Sequence, residues 1–150
     1  MSQTLTDLNY HMVFSTKGRQ PMLPPSIRER VHEFIGGIIR EMGGTSHRIG
    51  GIVDHVHIVC VLPPKISVSD AVRTIKANSS RWIRGLSPKH RIFGWQAGYS
   101  AFTISQSRLD DVIRYVANQE EHHRKMTFRE ELMGLLKKHG VEYDERYIWE

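Results

Sequence analysis

The 150-residue chain has a single cysteine, no apolar run long enough to span a bilayer, no internal repeat and no low-complexity stretch. Cys60 therefore forms no internal disulfide, and its place in the run VHIVCV suits a small buried hydrophobe. The missing long run excludes a membrane-spanning helix. The N-terminus, MSQTLTDLNYHMVF, has no basic segment followed by an apolar one, so no secretory signal is expected and a cytoplasmic location is. The cysteine and histidine spacing of a structural zinc finger is absent too. What is left is a single domain, 1–150, long enough to bury a real core and carrying an ordinary 39% hydrophobic and 25% charged content.

Acidic residues are scarce in one place. Between Lys65 and Arg91, seven cations (Lys65, Arg73, Lys76, Arg81, Arg84, Lys89 and Arg91) face Asp70 alone. Seven less one is +6, more than the whole chain's +5. A basic segment of this kind points to a polyanion, usually nucleic acid, although a solvated helix face gives the same count.

Hydrophobic periodicity and turn residues predict the order strand, helix, strand, strand, helix, strand, helix. LNYHMVFST (8–16) reads as a strand. A helix opens at Pro24-Pro25, with Ser26 as a candidate cap, and stops at Gly43-Gly44. Two strands follow, SHRIGGIV and HVHIVCV. A helix capped by Ser67 or Ser69 runs over SVSDAVRTIKANSSRWIRGL. WQAGYSAFTIS alternates as a strand, and SRLDDVIRYVANQEEHHRKM reads as one long helix with Ser107 as its cap. A short helix ends near Gly140. The βαββαβ order predicts an α+β, ferredoxin-like split βαβ sandwich: an antiparallel sheet with helices on one face, plus an extra C-terminal helix bearing Tyr115.

Residues two apart on a strand share a face, so His55 and His57 of DHVHIVC project together. Adjacent imidazoles can both donate nitrogen to one divalent cation. Two histidines on a wet face would need no cation, and a cation would need a third ligand. Tyr115 and Gln119 sit one helical turn apart in RYVANQEEHHRK and so share one side of that helix. A phenol beside a divalent cation and a phosphodiester is a competent nucleophile, and an amide oxygen is a hard ligand for Mg²⁺ or Mn²⁺. His122, one turn beyond Gln119, is a weaker ligand candidate; His122 and His123 alike better suit solvent or a hydrogen bond at an interface. His11 is left unassigned, because its register against the histidine strand does not follow from the sequence.

Together these segments resemble a known family. DHVH resembles the HUH motif and YVANQ the YxxxQ motif. LPPKISVSDAVRTIKANSSRWI and GWQAGYSAFTIS resemble further family segments. In this order, from about Asn9 to about Glu131, they resemble the single-tyrosine HUH transposases of bacterial insertion sequences (200/605 type), with 131–150 as an extension. The resemblance implies that Tyr115 attacks a single-stranded DNA phosphate, leaving a 5′-phosphotyrosine and a free 3′-OH. It implies that His55, His57 and Gln119 hold one Mg²⁺ or Mn²⁺. It also implies a homodimer acting on DNA hairpins at element ends, or on chromosomal repeats in a domesticated relative. No nucleotide cofactor is needed, and no P-loop motif is present. Ile52-Val53 stands where family members often carry Met-Pro, a position that is not a ligand.

Lys65, Arg73, Lys76, Arg81 and Arg84 are the candidate DNA-contacting cations, able to follow a phosphate backbone. Trp82 and Trp95 are candidates for stacking on unpaired bases, though each also suits the core. Two other classes fit part of the pattern: a non-catalytic nucleic-acid-binding module, and a hydrolytic metal nuclease that uses water at the same histidines.

Overall fold

The computed structural model describes residues 2–150. Four strands form one antiparallel sheet in the order β2-β3-β1-β4: β1 (Asn9–Ser15), β2 (Thr45–Gly51), β3 (His55–Val61) and β4 (Ser100–Ile104). Two 17-residue helices, α1 (Pro25–Glu41) and α2 (Val68–Arg84), cover one face. Met12 and Phe14 of β1 meet Val56, Ile58 and Cys60 of β3 there, under Val31, Ile35, Val72 and Ile75. The α+β, split βαβ architecture is as expected.

The second face is covered as well. Here α3 (Leu109–Ala117) packs Leu109 and Val116 on Val59 and Ile104, and α5 (Phe128–Lys138) packs Phe128, Leu132 and Leu136 on Val13 and Phe102. The reason lies in β3, whose residues from His55 to Cys60 are all buried. A central strand that shows no residue to water must be covered on both sides.

Three local expectations change. The long helix over 107–126 divides at Asn118 into α3 and a short α4 (Gln119–His123). Asn118 leaves helical geometry (φ −106°, ψ 30°) and donates its side-chain amide to Arg114 O at 3.0 Å, which competes with the helix ladder. Ser107 does not cap α3; it lies in a 3-10 turn before it, and no side chain caps that helix. Ser26 does not cap α1 either, because Pro24 occupies the cap and Pro25 the first helical position. Ser67 does cap α2, accepting from Asp70 N at 3.1 Å.

Candidate functional site

His55 and His57 project from the first half of β3 onto the second face, and both are fully buried. The helices that meet them come from α3 to α5. One contact sets how close α3 can come. Gly50, opposite His57 on β2, lies against the backbone of Val116, and an added Cβ would stand 2.2 Å from Val116 O. A side chain there must push away the helix that carries Tyr115. Gly50→Ala should lower stability by about 1–3 kcal/mol in denaturant titrations, the usual cost of overpacking. Wild-type stability would rule out that close contact.

The carboxylate of Glu131, on α5 and 3% exposed, lies at the middle of the site. His57 Nε2–H donates to Glu131 Oε1 at 2.9 Å, and His123 Nε2–H lies 3.2 Å from the same oxygen. His55 Nε2 is 3.4 Å from it. Gln119 donates its amide to Glu131 Oε2 at 2.9 Å, and the Tyr115 hydroxyl donates to that same oxygen. Gln119 Oε1 in turn accepts from His55 Nε2 at 3.0 Å and from His123 Nε2 at 3.1 Å. Asp54 Oδ1 accepts from His55 Nδ1–H at 2.8 Å and fixes that ring from behind.

Charge follows this geometry. Burial opposes the ionised form of Glu131, but hydrogen bonds from His123, His55 and His57 outweigh it and hold the carboxyl far below its ordinary range. Burial likewise opposes protonation of His55, yet bonds to Asp54 and Glu131 raise it above the usual histidine value. His57 is pushed down to about 4, chiefly by complete burial. Burial and the neighbouring Glu131 raise the Tyr115 hydroxyl.

These shifts set a pH dependence. A depressed histidine favours the folded state above 6.5 and withdraws that contribution as pH falls. His57 and His32, each at about 4, and His11, well below 6.5, all act this way. His55 acts oppositely, since its raised value stabilises the fold below 6.5 and is lost as pH climbs through that value. Glu131 adds a further loss in acid. The depressed groups prevail, so the metal-free protein should lose a few kcal/mol between pH 6.5 and 4, read as a falling Tm. A flat Tm across that window would contradict the burial of these rings.

The donor set fits a divalent cation. The Nε2 atoms of the two β3 histidines and a Glu131 oxygen lie within 4.8 Å of one another, all buried, and the Gln119 Oε1 atom is adjacent. Two imidazoles with a carboxylate suit several first-row metals, and the oxygen donors admit Mg²⁺ or Mn²⁺.

The structure thus gathers His55, His57, Gln119 and Tyr115 in one chain. Glu131 and His123 were not among the sequence candidates. His122 does not approach the imidazoles; its ring lies against Tyr115 at 4.5 Å between centroids. The restart at Gln119 places His123, four residues on, at the centre instead. Glu131 had a visible signal: it falls between Phe128 and Leu132 on the face that also carries Leu136, a carboxylate on an apolar stripe.

The basic residues lie elsewhere. α2 packs on the first face, across the sheet from Tyr115. Arg73, Arg81, Arg84 and Lys65 are exposed, with Arg73 paired to Asp70. Lys76 is the exception. Its Nζ donates to Gln96 O at 2.8 Å, Ala97 O at 3.2 Å and Gly98 O at 2.5 Å, and burial lowers it to about 8. It anchors the loop before β4 rather than presenting a free charge. The two tryptophans also belong to the fold. Trp95 is 9% exposed and donates to Ser79 Oγ at 2.9 Å, while Trp82 stacks on Phe34 at 4.5 Å.

A family model described as "Transposase IS200 like" matches residues 4–119. The ISDra2 transposase TnpA of Deinococcus radiodurans is 23% identical over 119 residues, which cover 76% of this chain and 85% of that protein. A crystal structure of a Deinococcus radiodurans R1 protein superposes with a TM-score of 0.62 at 21% identity, covering 79% of this chain and 98% of the other. The REP-associated tyrosine transposase bound to a REP hairpin gives 0.60 at 16% identity, covering 82% and 74%. At such identities the structural likeness concerns the fold. Glu131 and His123 lie beyond the matched residues.

Proposed function

Because the chain belongs to the IS200-like transposase family, we propose that it is a metal-dependent, single-tyrosine DNA transposase that cuts and rejoins single-stranded DNA at hairpin-flanked ends. Membership carries DNA cleavage and recombination in general. The finer chemistry is supported by one observation: the Tyr115 phenol and the Nε2 atoms of His55 and His57 all meet on the buried carboxylate of Glu131.

That convergence assigns roles to this chain's residues. Glu131 Oε2 accepts the phenolic proton as the Tyr115 oxygen attacks phosphorus. A Tyr–O–P bond forms and the P–O3′ bond breaks. Glu131 returns the proton to the departing oxygen, which leaves as a 3′-OH. Burial and Glu131 hold that proton on the phenol until its oxygen bonds to phosphorus, which acidifies it enough for even this weakly basic carboxylate to accept it. His55, His57 and Glu131 Oε1 would hold the cation, with Gln119 Oε1 as a further donor. A divalent cation there, Mg²⁺ or Mn²⁺, would polarise the phosphate and offset its growing charge. Asp54 keeps the His55 ring turned inward. Because the phosphate stays esterified throughout, rejoining needs no nucleotide cofactor.

A folded DNA strand is the proposed partner, as a solved relative of the same fold is bound to a REP hairpin. Whether the hairpin ends a mobile element or belongs to a chromosomal repeat, the chemistry is the same. Exposed Lys65, Arg73, Arg81 and Arg84 would meet its phosphates, with affinity falling steeply as salt rises. Residues 1–150 act as one catalytic domain, 131–150 completing the site through Glu131, and two copies pair as a homodimer. Among the described residues no helix is long and apolar enough to cross a membrane.

The test is a denaturing gel. Labelled single-stranded hairpin DNA, the protein and Mn²⁺ should give a protein-linked band; free cut DNA without such a band would favour a hydrolytic nuclease.

A further inference from the structure

Each catalytic-face histidine of β3 has a partner behind it, and the two partners differ. His55 has a carboxylate, Asp54. His57 has another imidazole. Its Nδ1 lies 2.8 Å from His11 Nε2, and the two rings stack with centroids 5.0 Å apart. Both rings are buried, at 0% and 3% exposure. His11 is on β1, one strand over, at the position paired with Val59.

A single proton occupies that contact, and its place decides what His57 offers at Nε2. In the structure Nε2 faces an ionised carboxylate oxygen, an acceptor, so Nε2 carries hydrogen and Nδ1 is bare. His11 Nε2–H must then be the donor. To ligate a cation through Nε2, His57 needs the opposite arrangement: Nε2 bare and Nδ1–H donating. His11 can accept that proton only by carrying its own hydrogen on Nδ1. A neutral imidazole serves both arrangements, whereas a carboxylate serves only the second and an apolar ring neither. The Nδ1 edge has room for the exchange, because His11 also lines a cavity of about 410 Å³ between α3 and α5.

We propose that His11 is a positioning residue for the cation, a two-way hydrogen-bond partner that lets His57 exchange tautomers as its Nε2 turns from Glu131 to metal. This rests on the metal-dependent reading above. The His11 Nε2 hydrogen crosses to His57 Nδ1, the proton leaving His57 Nε2 passes to solvent, and His11 Nδ1 takes one from solvent through the adjoining cavity, so the total number of protons on the two rings is unchanged.

The test uses the whole chain and Mn²⁺ itself. Wild-type protein, His11→Phe and His11→Gln are titrated with Mn²⁺ by calorimetry, and ¹⁵N chemical shifts of the His57 ring are recorded without metal and with diamagnetic Mg²⁺. His11→Phe should bind Mn²⁺ about 10- to 100-fold more weakly, the usual cost of losing a partner behind a metal-bound histidine. His11→Gln, whose amide can turn either end toward Nδ1, should recover most of that loss. In wild-type protein the His57 hydrogen should move from Nε2 to Nδ1 on loading. Equal Mn²⁺ affinity in wild type and His11→Phe would overturn the proposal, as would a Gln variant no better than Phe. Should His11→Phe not fold, the wild-type spectra still decide: a His57 tautomer that does not change on loading overturns it. Wild-type protein that forms the DNA-linked band while failing these tests would remove the role of His11 and leave the transposase reading standing. Wild-type protein that binds no Mn²⁺ and forms no band would remove both.

Discussion

Tyr115→Phe is expected to form no DNA-linked product while still binding the hairpin. The change removes one oxygen and keeps the ring, which stays packed beside His122. Glu131 Oε2 keeps its bond from Gln119, so stability should change little. The proposed DNA-contacting cations on and before α2 lie across the sheet and are untouched. Loss of a nucleophile typically costs several orders of magnitude, so cleavage should fall by about 10⁴-fold or more. Gel-shift and cleavage assays on one preparation separate binding from chemistry. A phenylalanine variant that cuts at the wild-type rate would make water the nucleophile and reassign the site to hydrolysis.

Glu131→Gln should be nearly as damaging, for a different reason. Glutamine keeps the shape and can still face His57 and Gln119, but it carries no charge. It is a poor proton acceptor for Tyr115 and a weaker ligand beside the two imidazoles. Cleavage should drop at least about 10²-fold, the low end of what a positioned proton acceptor contributes. Mn²⁺ affinity, measured by calorimetry, should fall with it, and the metal-free protein should lose less stability in acid than wild type. Faster cleavage in the glutamine variant would mean that the carboxylate blocks the pocket rather than completing it.

Much of this was legible in the residue order. Period-two alternation put His55 and His57 on one face, and the Tyr115–Gln119 spacing put those two side by side, where they lie although the helix expected to carry both divides between them at Asn118. Neither inference needs tertiary knowledge. What escaped depended on pairings between distant segments. The role of His11 hinges on the register of β1 against β3, and nothing local fixes that register. His123 displaced His122 because the chain breaks at Asn118, where an amide bonding back to Arg114 O ends a helix that periodicity alone would continue. Lys76 counted as a free charge, yet three backbone carbonyls from a loop twenty residues away surround it. Charge counts register how many cations a helix carries, not which of them the fold already uses. Glu131 was different, since its place on the apolar face of α5 could have been seen.

The most direct measurement is mass spectrometry of the covalent product. Wild-type protein is incubated with a hairpin oligonucleotide and Mn²⁺, denatured, digested with protease and nuclease, and sequenced for the peptide that retains a nucleotide. The expected result is one modified peptide, carrying a 5′-phosphonucleotide on Tyr115 and absent when the metal is chelated. A nucleotide on any other residue, or cut DNA with no modified peptide, would show that phenol and imidazole pair do not act on the same phosphorus.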